Sequence, residues 1–164
     1  MNNPDAIRQL IRLLAQRELR LGTSGDRVAR SSRVVAWAEQ ALAADGGSAA
    51  LRTLAALGTP PDEDELNACI VQLADELELQ PDRLLKKYER LVADDIVEGR
   101  STPRDGALDL YRFPDDLDRT PDPYGGWSRL CDALDLARAG TYGSVEEIEE
   151  EIRRKAKRVL EHDK

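Results

Sequence analysis

Side chains able to move protons, attack carbonyls or hold metals are few in this sequence. His162 is the single histidine. It stands near the C-terminal end, where a fraying helix would hold a general base poorly, so it is expected to be solvated. Cys69 and Cys131 are the two cysteines. Both fall in amphipathic patterns and are expected to be small buried hydrophobes in a reducing compartment. One histidine and two distant cysteines cannot supply the ligand spacing of a zinc site. The sequence contains no GxGxxG, no HExxH and no GxxxxGK followed by Ser or Thr. Gly22-Thr23-Ser24-Gly25 matches a phosphate cradle in composition alone and reads as a helix break.

The acid-rich stretch from Asp115 to Asp122 has the composition of a calcium loop. Counted from Asp116, an EF-hand requires Gly at the sixth position and Glu at the twelfth. Pro121 and Trp127 stand there instead, so the match fails. Carboxylates are plentiful, but no pattern singles out a pair for acid–base chemistry. The expectation is a non-enzymatic protein with no catalytic, cofactor-binding or metal-binding residues.

One stretch carries a recognisable motif. Leu73-Ala74-Asp75-Glu76-Leu77-Glu78-Leu79-Gln80-Pro81-Asp82-Arg83-Leu84 resembles a helix-turn-helix core, with a small residue at the crossing, hydrophobes bracing the corner and a proline opening the second helix. Gln80, Arg83, Lys86, Lys87 and Arg90 would then face a nucleic-acid groove. The stretch departs from the motif at Glu78, where the turn usually holds glycine, and at Lys87, where a hydrophobe usually braces the pair. A DNA-binding regulator using residues 66–97 is thus one functional reading; a generic antiparallel helix pair explains the same stripe.

The other reading rests on aromatics. Four of the seven, Tyr111, Phe113, Tyr124 and Trp127, fall within seventeen residues. Asp116 and Asp118 lie among them. Either these rings plug the core, or Phe113, Tyr124 and Trp127 anchor a protein partner while Asp116 and Asp118 steer it in.

These residues must be positioned by helices. Apolar residues recur at helical spacing through most of the chain, while β-branched and aromatic residues, which fill pleated sheets, are scarce. Helices are predicted from Pro4 to Gly22, from Thr23–Asp26 to near Asp45, from Ser48 to Gly58, from Thr59-Pro60-Pro61 through Leu77, and from Pro81 to Gly99. Asp62, Glu63, Asp64 and Glu65 are expected to complement the dipole of the fourth helix. Residues 98–126 are rich in Pro and Gly and are predicted irregular, with Ala107–Phe113 the one strand candidate. A helix resumes at Trp127 and stops at Gly140. A capping box, Ser144 with Glu147, opens the last one. Its acids precede its bases, predicting Glu149–Arg153, Glu150–Arg154 and Glu151–Lys155 pairs. The fold class is all-α: a single-domain bundle of about seven helices over residues 1–164. It divides into a five-helix part (4–97), an irregular connection (98–126) and a closing helical pair (127–164).

The formal net charge is −8, which disfavours non-specific adhesion to nucleic acid or anionic membranes. Residues 1–40 carry seven Arg against four acids, a net of +3, so the remainder carries −11. No signal-peptide pattern and no membrane-length apolar run occur, so a cytoplasmic location is expected. The expected partner is a basic protein, with the chain an acidic adaptor or neutraliser. The narrow apolar stripe of the last helix also allows a homodimer through that helix.

Overall fold

The structure, a computed structural model, describes residues 4–19, 26–45, 47–79, 81–113 and 126–161. The described residues form eight helices and no strand: α1 (Pro4–Glu18), α2 (Asp26–Asp45), α3 (Ala49–Ala55), α4 (Glu63–Glu76), α5 (Pro81–Val97), α6 (Pro103–Asp109), α7 (Trp127–Arg138) and α8 (Val145–Glu161). This is the all-α architecture that the helical periodicity predicts. Packing divides the chain into two compact units, Met1–Leu84 and Leu85–Lys164. The division falls inside α5, a continuous helix with no break in composition to mark it, and not at the end of the predicted five-helix part.

In the first unit, α1 packs on α2, α2 on α3 and α3 on α4. Leu10, Ile11 and Leu14 bury one face of α1, matching their 3–4 spacing. Trp37 lies on α2 with its indole N–H donating to the Ala6 carbonyl at 3.1 Å, pinning the two helices together. Ser48 caps α3, its Oγ accepting the Leu51 N–H. Asp62, expected in the first turn of α4, is instead its N-cap, with Oδ1 accepting from the N–H groups of Asp64 and Glu65. Glu63 does more than complement a dipole. Its Oε1 accepts from the Ser31 hydroxyl at 2.6 Å and its Oε2 pairs with Arg17 at 3.2 Å, so one carboxylate ties α4 to both α1 and α2.

In the second unit the strand candidate is overturned. Pro103–Asp109 is helical, and Ala107 to Phe113 forms its C-terminal part and the turn after it. Pro103 and Gly106 read as breakers, but proline at the first helical position is favourable. Thr102 caps the helix, accepting from Asp105 N–H at 3.1 Å. Gly106 is there for space: a Cβ would stand 2.5 Å from Ile96 Cγ1, so only glycine lets α6 lie against α5. The predicted stop of α5 is present, with Gly99 at φ 73° and the N–H of Arg100 bonding back to the Asp95 carbonyl at 2.8 Å. Asp95 is buried, and Arg100 Nε reaches its carboxylate at 2.6 Å.

The capping box of α8 forms as predicted, with Glu147 N–H donating to Ser144 Oγ and Ser144 N–H to Glu147 Oε2, both at 3.2 Å. Of the three predicted pairs, Glu149–Arg153 is present at 3.4 Å. Glu150 pairs with Arg153 instead, at 3.3 Å, while Arg154 donates to the Glu150 backbone carbonyl. Lys155 turns inward and lies buried, its Nζ 5.0 Å from the centre of the Trp127 ring. The reason is phase: Ile148, Ile152, Lys155 and Ala156 share the face that packs on α6 and α7. Ile148 and Ile152 of the apolar stripe are buried within their own unit, while Val145 and Val159 are half-buried.

Candidate functional site

The two described members of the aromatic anchor set are core residues. Trp127 is 1% exposed and Phe113 7%. Trp127 opens α7 on the face carrying Leu130, Cys131 and Leu134, and its indole N–H donates to Glu89 Oε1 at 2.6 Å while Lys155 sits over the ring. A ring held on three sides by its own unit cannot serve as a surface anchor. Asp116, Asp118 and Tyr124 lie outside the described residues. Tyr111 is exposed, its hydroxyl 3.4 Å from Asp132. Leu108 of α6 and Leu136 of α7 are exposed as well.

The α4–α5 turn is tight although Glu78 stands where glycine is usual. Leu79 N–H bonds to the Ala74 carbonyl at 2.7 Å, and Glu78 adopts φ 53° at the position where glycine is usual. That left-handed residue carries a modest strain. Leu79 and Leu84 are buried on either side of the turn. Arg83, Lys86 and Lys87 are exposed and Arg90 half-buried; Gln80 lies outside the described residues. Lys87 is exposed beside the buried Tyr88, whose hydroxyl donates to the Asp109 carbonyl at 3.3 Å.

Neither cysteine is poised for nucleophilic chemistry. Both are buried and free. Burial, aided by Asp132 and Asp135 and only partly opposed by Arg104, pushes the Cys131 thiol up to about 11, so it stays protonated at neutral pH. Among the described residues no three His, Cys, Asp or Glu side chains gather as a metal-binding group, and no helix is long and apolar enough to cross a membrane.

A feature no sequence pattern announced is a groove of about 270 Å³ in the first unit, lined by Ser48 and Leu51 of the α3 end and by Leu73, Glu76 and Leu77 of the α4 end. Its floor is apolar, since Leu51 and Leu73 are buried, and Glu76 stands exposed at its rim. The groove lies between the start of α3 and the end of α4. Helical periodicity shows that each stripe exists but not how the two meet. From Thr53 to Asp82 the chain holds eight acids and no base, and of these Asp64, Glu65, Asp75, Glu76 and Glu78 are exposed. Val71, 60% exposed, stands between Asp64 and Asp75 on the outer face of α4. The arrangement offers apolar contact and negative potential, and no group aligned for bond making. Comparison with protein-family models, with curated proteins and with solved structures finds no match to this chain.

Proposed function

We propose that the chain is a non-enzymatic protein-binding module that takes a basic protein partner. The observation that carries this reading is the run from Thr53 to Asp82, with its eight acids and no base. On α4, Asp64, Glu65, Asp75 and Glu76 stand in solvent, with the exposed Val71 beside them. Such segregation accelerates association with a cationic partner and rejects anionic ones, while the apolar contacts hold the complex. Phe113 and Trp127 play no part in this reading. Asp116, Asp118 and Tyr124 are kept as a secondary acidic and aromatic contact. An affinity-tagged chain isolated from its host should retain a protein of positive net charge. Replacing Asp64, Glu65, Asp75 and Glu76 together by their amides should release it. Retention of an acidic partner, or retention indifferent to the four replacements, would sink the proposal.

A second reading, a DNA-binding regulator, is favoured by one specific observation: the tight turn at Glu78 followed by Arg83, Lys86, Lys87 and Arg90 at 3–4–7 spacing on α5. It is weakened by the formal net charge of −8, which opposes approach to a phosphate backbone. A mobility shift on mixed-sequence duplex at physiological salt decides it. Retardation that disappears in Lys86→Glu and Lys87→Glu would establish the second reading over the first.

A further inference from the structure

The basic-partner reading leaves open where the partner is gripped, and the α3–α4 groove answers it. We infer that this groove receives one large aliphatic side chain from a Lys/Arg-rich amphipathic segment of the partner. The inference rests on the proposed function above and narrows it to a place and a recognition chemistry.

The first argument is size. At about 270 Å³ the groove has room for one large aliphatic side chain. The second is lining. Leu51, Leu73 and Leu77 give an apolar floor, with Leu77 half-exposed at its edge. Ser48 adds little polarity, because its Oγ already accepts the Leu51 N–H at the start of α3. The third is charge. Glu76 forms part of the rim, Asp75 and Glu78 flank it in sequence, and all three are exposed. The adjacent base is Arg52 on α3, whose guanidinium donates to the Gly47 carbonyl at 2.7 Å. An aliphatic anchor flanked by Lys or Arg therefore finds both halves of its character matched, as helix-in-groove recognition requires. A purely apolar segment would lack the electrostatic half, and an acidic one would be repelled.

The test uses the full chain and a synthetic Leu/Lys amphipathic peptide carrying a fluorophore. Two controls keep half the character each: Ser in place of Leu, and Glu in place of Lys. Fluorescence anisotropy should show the Leu/Lys peptide binding at least about tenfold tighter than either control. In methyl NMR the signals of Leu51, Leu73 and Leu77 should shift on titration. Leu77→Gln should weaken binding at least about fivefold, as loss of one interface anchor does. Glu76→Lys, at an exposed position that does not threaten folding, should weaken it and flatten its salt dependence. Tyr142→Ser, at an exposed position of the second unit, should change nothing. If the Leu/Lys peptide binds but shifts Leu108 and Leu136 instead, the groove assignment falls while the basic-partner reading stands. If the Leu/Lys and Ser/Lys peptides bind alike, charge alone acts and the groove is again overturned. If no cationic peptide binds even at low salt, both fall.

Discussion

Each unit buries one tryptophan, and the two indoles are satisfied by different chemistry. Trp37 in the first unit donates to a backbone carbonyl, Ala6, at 3.1 Å. Trp127 in the second donates to a carboxylate, Glu89, at 2.6 Å, and lies under the buried cation of Lys155. A helical carbonyl such as Ala6 is already engaged within its own helix, so the indole is a second donor to it. A carboxylate with a cation close by is a charged arrangement held in a site of low polarity, where each member depends on the others. The first unit is thus tied by neutral contacts in its core, with its charged hub at Glu63 kept part-exposed. The second places charge in the core itself, at Asp95 and Lys155 as well as around Trp127. The same fold class has been stabilised by two different distributions of polarity.

That contrast can be broken by experiment, beginning with the largest effects. Trp127→Ala and Trp37→Ala should each cost about 3–5 kcal/mol in chemical denaturation, as large-to-small changes in a packed core do. Near-native stability in either variant would show that the ring is not core. Ile152→Asp should cost about 2–4 kcal/mol, because it places a carboxylate on the buried face of α8. An unchanged melting temperature would mean that α8 is not packed on α6 and α7.

Smaller changes sharpen the comparison. Gly→Ala inside a helix normally gains about 0.5–1 kcal/mol. Gly106→Ala should instead lose about 1–3 kcal/mol, because the new methyl meets Ile96. A stabilised variant would refute the close approach of α6 to α5. Trp→Phe keeps most of the ring and removes the donor. A hydrogen bond to a charged group contributes about 1.5–3 kcal/mol and a neutral one about 0.5–1.5, so Trp127→Phe should cost about 1 kcal/mol more than Trp37→Phe. Equal costs would erase the distinction between the units.

A further effect, at alkaline pH, comes from Cys131 in the second unit. The Cys131 thiol is raised to about 11 in the folded chain against an ordinary value of 9.0. The folded state therefore holds the proton over a window in which the unfolded state releases it, so stability falls as pH rises from 9 to 11. Below pH 9 the group contributes no slope. Comparing unfolding of wild type and Cys131→Ala across this window isolates the term, and identical pH profiles would refute it. Alkylation of the native thiol at neutral pH should be correspondingly slow.

Much of the helix pattern was legible because capping and periodicity are local. Ser48, Pro81, the Ser144–Glu147 box and the stop near Gly140 all mark element ends at or near where the structure has them, each through bonds made within a few residues. α6 was legible too, had Pro103 been weighed as a helix opener with Thr102 and Asp105 as its cap. The candidate site was far less so. Phe113 and Trp127 have the composition of partner anchors, yet whether an aromatic ring points outward depends on the phase of its element against neighbours distant in sequence. Glu63 shows the same limit: its place in the first turn of α4 is a local fact, whereas its bonds to Arg17 and Ser31 span 46 and 32 residues.

Sequence by itself determined the helical class and most of the helix ends, because these follow from interactions a few residues long. It also determined the segregation of eight acids from any base between Thr53 and Asp82. Tertiary structure decided which members of each stripe are buried, and so withdrew Phe113 and Trp127 from the surface and turned Lys155 inward. It also opened a groove between the start of α3 and the end of α4. Those outcomes depend on the angle and phase at which helices meet, and that geometry is fixed by packing across long separations rather than by neighbours along the chain.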